Sequence, residues 1–243
     1  MIGWRARIGI IVPSTNTTCE YEFNRMAPEG VSIHTARAFN PKVTKPEEKA
    51  KALLEMDKGI VKAAKEVASV NPKVIAFCCT AGSFLKGKEY AKEIIDSIEK
   101  ETGISAIVTS LAVCDALKKL NVNRIAMATP YNEDIADKEV EFLESVIPNL
   151  KVINTKNLGI VDAIAKGDLY PSSAYISAKE VDTPEAEAIF ISCTAWRTIE
   201  IIELLENDLK KPVITSNGAT MWSILKKIGI FKIEGYGKLL RGF

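Results

Sequence analysis

The chain has 243 residues, of which 47% are apolar and 26% charged, a composition typical of a globular protein with a full-sized core. Its 32 basic and 31 acidic side chains nearly cancel, which gives no reason to expect nucleic acid or an acidic membrane surface as a partner. No apolar run has the length of a membrane span and the first residues lead directly into a strand pattern, which predicts a cytoplasmic protein with no membrane partner.

Strand-like and helix-like segments alternate along the first half of the chain. Apolar runs rich in strand-forming residues predict strands at 7–12, 31–38, 74–78 and 105–109. Amphipathic stretches predict helices at 15–27, 46–70, 87–102 and 111–120, with Thr17 or Thr18 available to cap the first of them. Strands joined by helices indicate a parallel sheet with right-handed crossovers.

The second half repeats this alternation. It has predicted strands at 124–128, 151–154, 188–192 and 213–215, and predicted helices at 132–146, 196–207 and 219–227. Between residues 158 and 181, Gly167, Pro171 and paired serines predict short helices and loops. Residues 235–243 are expected to form an extended tail that packs on the body or on a second subunit.

An internal repeat relates the two halves. Residues 74–82 and 188–196 are both apolar runs that stop at Cys-Thr-Ala, residues 7–14 match 124–131 at an offset of 117 (124 − 7), and residues 108–110 match 214–216. The repeat predicts an α/β fold of two similar Rossmann-like lobes, with parallel sheets related by a pseudo-twofold and an active site in the cleft between them. The expected divisions are 1–120, 121–215, and a helix and tail at 216–243 that pack back on the first lobe.

Two thiols stand where the repeated strands end. Cys79 and Cys193 occupy the carboxyl ends of parallel strands, where open α/β sheets place ligands. The small residues after Cys79 expose backbone N–H groups, which can lower the pKa of a thiol and hold a carboxylate. Cys78 points to the opposite face of its strand and is expected to be a buried core residue, as are Cys19 and Cys114 within helices.

The remaining residue types exclude several classes of site. Five cysteines without zinc-site spacing, and His34 as the single histidine, argue against a disulfide framework and against a Cys/His metal site. A serine-hydrolase triad has no support, because the chain lacks a G-x-S-x-G motif. His34 itself is expected to be a structural residue that could form a hydrogen bond near the site.

Polar loops follow the first strand of each half. The loop at 13–18 carries Ser14 and Asn16, and it is either a helix cap with spare hydroxyls or a carboxylate cradle with Asn16 as an amide donor. In the matching loop of the second half, Tyr131 is either a phenolic donor to a ligand or an aromatic residue that packs at the seam between the lobes.

Four segments carry a family resemblance: PSTNT (13–17), CTAGS (79–83), SCTAWRT (192–198) and PVITSN (212–217). In them the chain resembles the maleate cis-trans isomerase and arylmalonate decarboxylase group of the Asp/Glu racemase superfamily. The resemblance implies a small carboxylate substrate and no metal or organic cofactor. It further implies that Cys79 is a nucleophile and Cys193 a proton donor and acceptor. The residues implied in substrate binding are Ser14, Asn16, Thr80, Ala81, Ser83, Tyr131, Thr194 and Ala195.

The leading hypothesis is therefore a cofactor-independent isomerase that converts maleate to fumarate by thiolate addition, bond rotation and elimination. The alternatives are a two-thiol racemase of an amino acid or hydantoin, an arylmalonate-decarboxylase-like enzyme, and a non-catalytic dicarboxylate-binding protein. Arylmalonate decarboxylases lack the first cysteine, so Cys79 argues against that activity. Maleate isomerases usually have an asparagine where this chain has Ala163, and Asn157 and Asp162 are candidates to compensate for it. A homo-oligomer is expected, as for many enzymes of this size.

Overall fold

Two parallel sheets of four strands form the framework of the computed structural model, which describes residues 2–242; Met1 and Phe243 lie outside the described residues. The first sheet contains β1 (Ala6–Pro13), β2 (Val31–Ala38), β3 (Val74–Phe77) and β4 (Ala106–Val108), in the order β2-β1-β3-β4. The second contains β5 (Arg124–Thr129), β6 (Lys151–Asn157), β7 (Ala188–Ile191) and β8 (Val213–Thr215), in the order β6-β5-β7-β8. The identical strand order confirms the predicted α/β fold of two similar lobes.

Helices follow the strands and cover the faces of both sheets. The first lobe has α1 (Cys19–Met26), α2 (Pro46–Glu55), α3 (Asp57–Ala68), α4 (Thr80–Phe84), α5 (Gly87–Thr102) and α6 (Thr109–Leu120). The second half has α7 (Glu133–Val146), α8 (Ala163–Gly167), α9 (Pro171–Val181), α10 (Ile202–Leu209) and α11 (Ser216–Lys227). Strands β3 and β7 are buried at every position, as expected for central strands of a sheet covered on both faces.

Helices α6 and α11 pack against each other and join the two lobes. The hydroxyl groups of Thr109 and Thr220 lie 3.0 Å apart across this contact, and α11 also packs on α1. The prediction of an extended tail was wrong, because residues 234–241 form bends and turns and the N–H of Ile233 donates to the carbonyl of Leu240. The tail lies on the body, where the Tyr236 hydroxyl donates to the carbonyl of Arg25. The division of the chain at residues 120 and 215 stays a prediction.

The predicted helix at 15–27 was wrong over its first turn, since α1 begins at Cys19. The reason is a local hydrogen-bond alternative to the helix: Asn16 Oδ1 accepts from the N–H groups of Thr18 and Cys19, at 2.9 and 2.8 Å. The predicted cap also differs, because the Thr18 hydroxyl does not cap α1 and instead donates to the carbonyl of Ala195 in the other lobe.

The predicted helix at 46–70 is two helices, α2 and α3, separated at Met56. Pro46 stands in the first turn of α2, as the sequence predicts. The side chain of Met56 is buried in the core between the two helices, so the helical periodicity of the sequence continues across the break. Apolar spacing alone therefore could not reveal it.

The predicted helix at 196–207 was wrong over its first half, because α10 begins at Ile202. Residues 194–201 form turns, in which the N–H groups of Thr198 and Ile199 donate to Glu22 of α1 instead of to helical carbonyls. Helix α4 was not predicted, and the strands predicted at 74–78 and 105–109 each end earlier, at Phe77 and Val108, where the chain turns into the next element. Within residues 2–242, every helix falls short of the length and apolar character that crossing a membrane requires.

Candidate active site

A small cavity lies between the lobes, at the carboxyl ends of β1, β2, β3, β5 and β7. Parallel sheets place ligands at this edge, and here both sheets contribute to one cavity. Its walls are formed by Pro13, Thr15, Asn16, Asn40, Lys49, Leu53, Cys79, Thr80, Ala81, Tyr131, Ile135, Ala163, Lys166, Cys193, Thr194 and Ala195.

Cys79 contributes one thiol to this cavity. It follows β3, is 6% exposed, and its Sγ accepts a hydrogen bond of 3.3 Å from the N–H of Gly82. Burial raises the pKa of Cys79 to about 12, and the Gly82 N–H and the charges of Lys49 and Lys166 lower it by less. The expected backbone stabilisation of the thiolate is present, but the expectation of a lowered pKa was wrong, because desolvation of the charged form is the larger effect.

Cys193 contributes the second thiol, also 6% exposed, from the equivalent turn after β7. Its backbone has a φ of 101°, in a region that residues with a Cβ rarely adopt, and this conformation is strained. The N–H of Cys193 donates to Ser216 Oγ at 3.0 Å, and the N–H of Ala195 donates to the Cys193 sulfur at 3.4 Å. Ser216 therefore helps to hold the strained residue in place.

Glu22 lies in the first lobe, and its buried carboxylate binds the turns that follow Cys193 in the second lobe. Glu22 accepts from the N–H groups of Thr198 and Ile199, at 2.5 and 3.1 Å, and from Asn217 Nδ2 at 2.7 Å. Burial raises the pKa of Glu22 to about 7, against these hydrogen bonds, which lower it. No local sequence pattern indicates this contact, because its partners are separated by 176 positions or more along the chain.

Asn16 and Tyr131 reach the cavity from opposite lobes, as the sequence predicts. Asn16 Nδ2 donates to Thr194 Oγ1 at 3.1 Å, so this amide also joins the two lobes. Burial, with the neighbouring Cys193, raises the pKa of Tyr131 well above its usual value, which keeps its phenol protonated as a donor. Asn16 Oδ1 accepts from the N–H groups of Thr18 and Cys19 at the start of α1, while Nδ2 faces the other lobe. The carboxylate-binding role of Asn16 stays a prediction.

The other predicted binding residues divide into two groups. Thr80, Ala81, Thr194 and Ala195 line the cavity, whereas Ser14 and Ser83 do not. Ser14 Oγ accepts from the N–H of Asn40, and Ser83 Oγ bonds to the backbone of Cys79, Thr80 and Ser110, so both hydroxyls support the walls from behind. His34 lies away from the cavity in β2 and is hydrogen bonded to Ser32.

Two lysines in the cavity wall were missed. Lys49 of α2 and Lys166 of α8 are 5% and 3% exposed. A signal for Lys49 was present in the sequence, since Leu53 and Met56 stand four and seven positions later and place Lys49 on the buried face of its helix. Lys166 lies in a five-residue helix that is too short to show such a pattern.

Ala163 lines the cavity at the start of α8, and neither candidate to compensate for it does so. Asp162 caps α8 by accepting from the N–H of Ile164 at 3.0 Å. Asn157 lies at the end of β6, with its Oδ1 buried and without a hydrogen-bond partner. In the part of the chain that the structure describes, no three His, Cys, Asp or Glu side chains lie close enough together to hold a metal ion.

Comparison with known proteins agrees with this architecture. A family model described as arylmalonate decarboxylase matches residues 8–240. The chain belongs to the arylmalonate decarboxylase family. The arylmalonate decarboxylase of Bordetella bronchiseptica is 27% identical to this chain, over 74% of this chain and 76% of its own length. The maleate isomerase of Geobacillus stearothermophilus is 27% identical over 97% of both chains.

A solved structure gives the same match in three dimensions. A mutant of Nocardia farcinica maleate cis-trans isomerase with a covalently bound succinylcysteine intermediate superposes with a TM-score of 0.88, at 25% identity. The alignment covers 97% of this chain and 98% of that one. The predicted family resemblance is thus confirmed for essentially the whole chain.

Proposed function

We propose that this member of the arylmalonate decarboxylase family is a cis-trans isomerase that converts maleate to fumarate with Cys79 as nucleophile and Cys193 as general acid and base. The observation that carries the proposal is the placement of two buried thiols, from equivalent turns of the two lobes, on the wall of one cavity. The maleate isomerases among its relatives, one of them with a succinylcysteine intermediate, support the same chemistry.

The proposed reaction needs only the two thiols. After Cys79 loses its proton to solvent, the thiolate adds to one alkene carbon of maleate, and the electron pair of the double bond moves to the other carbon and its carboxylate. Cys193 protonates that carbon to give a succinylcysteine. The former double bond is now a carbon–carbon single bond, and rotation about it brings the two carboxylates to opposite sides. Return of the proton to Cys193 and cleavage of the carbon–sulfur bond then release fumarate and regenerate the thiolate.

The buried surroundings of Cys79 suit this reaction in one respect and oppose it in another. A thiolate in a dry site is strongly nucleophilic, but its pKa of about 12 keeps most of the thiol protonated near neutral pH. The Gly82 N–H and the two cavity lysines provide the opposing stabilisation. We expect the rate to rise with pH while the thiolate fraction of Cys79 is increasing.

The test is a proton NMR time course of the reduced protein with maleate in deuterated buffer. Fumarate formation at a rate proportional to enzyme concentration supports the proposal. Maleate that stays unchanged at high protein concentration contradicts it. A Cys79→Ala sample serves as the matched control for traces of other enzymes and for uncatalysed isomerisation.

Racemisation is the second candidate, because a pair of thiols facing one cavity from two lobes also suits removal of a proton on one face and delivery on the other. It predicts that solvent deuterium enters the α-position of an amino acid or hydantoin, which the same NMR experiment detects with those substrates. A cytoplasmic location and a homo-oligomeric state remain predictions from the sequence.

A further inference from the structure

Two buried ammonium groups in the cavity have no ionic or hydrogen-bonding partner among the described residues. Neither Lys49 nor Lys166 forms an ion pair or a side-chain hydrogen bond with any other residue between positions 2 and 242, although both are more than nine-tenths buried. Burial of a charged amine without a partner costs free energy, and lysine is almost never fully buried unless it is paired. The cost indicates that a partner enters the cavity from outside the chain.

The electrostatics of the cavity are positive. Desolvation lowers the pKa of Lys166 to about 8 and lowers the pKa of Lys49, while Cys79, Cys193 and Asp162 raise both. Asp162 is the nearby carboxylate, and its side chain is already used in capping α8. Two ammonium groups exceed the single negative charge of Asp162, and a ligand with one carboxylate for each lysine would give both a direct counter-charge.

The two lysines come from different lobes and different elements. Lys49 is carried by α2, after the first lobe's β2, whereas Lys166 is carried by α8 in the second lobe. Lys166 Nζ lies 4.8 Å from the centre of the Tyr131 ring, which fixes its direction beside a phenol that also faces the cavity. Lys166 is also one turn along α8 from Ala163, the small residue that leaves space in the same wall.

We propose that Lys49 of the first lobe and Lys166 of the second are a specificity-determining pair, and that each holds one of the two carboxylates of a small dicarboxylate. The inference rests on the proposed function only in taking the ligand to be a small carboxylate, and it would apply equally to a dicarboxylate that is not isomerised. Monoanions of the same shape are disfavoured, because they leave one buried ammonium group without a counter-charge.

The alternative role for the lysines is to stabilise the thiolate of Cys79 without touching the ligand. The two roles make different predictions for a protein without that thiol. In a Cys79→Ala background, a lysine that serves the thiolate has no effect on ligand affinity, whereas a lysine that holds a carboxylate keeps its effect.

The experiment is titration calorimetry of Cys79→Ala protein with maleate and with its monoamide, which has the same shape and one negative charge. Adding Lys49→Met or Lys166→Met, each a change to an apolar side chain of similar length, is expected to weaken maleate binding about tenfold or more, and the monoamide less than about threefold. Lys51→Met is the matched control, since Lys51 lies on α2 but is exposed, and it should leave both affinities unchanged.

Three outcomes would overturn the inference: maleate affinities that both lysine variants leave unchanged, equal losses for maleate and the monoamide, or no binding of maleate, fumarate or succinate. Lysine-dependent binding together with an absence of fumarate in the NMR test would instead contradict the proposed reaction and leave the dicarboxylate site standing. Far-UV circular dichroism checks folding, and Lys49→Gln and Lys166→Gln, judged by the same criteria, replace any methionine variant that does not fold.

Discussion

The turns that carry Cys79 and Cys193 occupy equivalent places in the two lobes and differ in backbone conformation. Cys79 has an extended backbone, with a φ of −144°, and leads directly into α4, whose Gly82 N–H donates to its sulfur. Cys193 has a φ of 101° and leads into a series of turns. Both sulfurs accept a hydrogen bond from a nearby backbone N–H. The same Cys-Thr-Ala sequence therefore has an unstrained backbone at Cys79 and, at Cys193, a strained one that Ser216 helps to hold.

Two buried glutamates also occupy equivalent places in the two lobes and differ in their contacts. Glu22 and Glu139 are related by the offset of the repeat (139 − 22 equals 124 − 7), and both are buried in the helix after the first strand of their half. Glu22 accepts from four donor groups that lie beyond residue 197, namely the N–H and hydroxyl of Thr198, the N–H of Ile199 and Asn217 Nδ2. Glu139 accepts only from Ser192 Oγ at 2.6 Å, and its Oε2 has no partner. The first lobe's carboxylate thus organises the second lobe's thiol turn, and the reverse contact does not exist in the described residues.

Removal of either thiol should test how far the two turns differ, and Cys79→Ala is expected to have the largest effect. It removes the nucleophile, so fumarate formation should fall by at least about a thousandfold. Initial rates by NMR, at equal concentrations of folded protein, provide the measurement. Activity within about tenfold of the wild type would show that Cys79 is not the nucleophile.

Cys193→Ser should slow the addition of Cys79 to maleate less than it slows the elimination of fumarate. Addition of Cys79 to maleate can still occur, but removal of the proton before elimination is slowed, so an adduct should accumulate on Cys79. Intact-protein mass spectrometry after incubation with maleate should find a mass increase equal to one maleic acid, absent from Cys79→Ala. Unmodified protein with undiminished fumarate formation would remove Cys193 from the mechanism.

The two buried carboxylates should respond differently to amide substitution. Glu22→Gln places an NH2 group against Asn217 Nδ2, which donates to Glu22 and to the carbonyl of Thr194, and one of these two bonds is lost whichever way Asn217 turns. We expect a loss of about 2 kcal/mol in the free energy of unfolding for Glu22→Gln. No loss is expected for Glu139→Gln near neutral pH, where burial opposes the charged form of that carboxyl. Urea denaturation near neutral pH measures both, and equal losses would contradict the asymmetry.

The pH dependence of stability should carry the signature of Glu139. Burial raises its pKa from 4.5 to about 8, so between these values the folded protein binds a proton that the unfolded chain has released. Its contribution to stability is therefore complete at low pH and is lost as the pH rises towards 8. Relative to the wild type, Glu139→Gln should become more stable by about 1.4 kcal/mol per pH unit across this window. A constant difference in urea denaturation between the two proteins would show that Glu139 does not titrate there.

Glycine substitutions at Cys79 and Cys193 test the difference in backbone conformation. Of the changes proposed, they should have the smallest effect on the free energy of unfolding. At Cys193, a residue without a Cβ relieves the strain of a positive φ, so Cys193→Gly should be about 1 kcal/mol more stable than Cys193→Ala. At Cys79 the order should reverse by about 0.5 kcal/mol or more, since glycine there only adds freedom to the unfolded chain. Urea denaturation of the four variants is the measurement, and the same order at both sites would show that Cys193 is not strained.

The sequence by itself determined the architecture and the two thiols. The strand segments, the lobe repeat and the positions of Cys79 and Cys193 follow from apolar periodicity and from matched strand ends, which are local patterns that survive in a linear sequence. Asn16 and Tyr131 could be proposed for the same reason, because strand ends at one edge of a sheet are close in space whatever the rest of the chain does.

Only the tertiary structure decided which charged groups are buried and what they contact. Lys49 and Lys166 stand on helices from different lobes, and their approach to one cavity depends on how the lobes pack. The same packing buries Cys79 enough to raise its pKa, where the sequence suggested the opposite. It also brings Glu22 to the turn of Cys193 and prevents α10 from starting at Trp196. Desolvation and long-range hydrogen bonds depend on neighbours that are distant along the chain, and no local pattern records them.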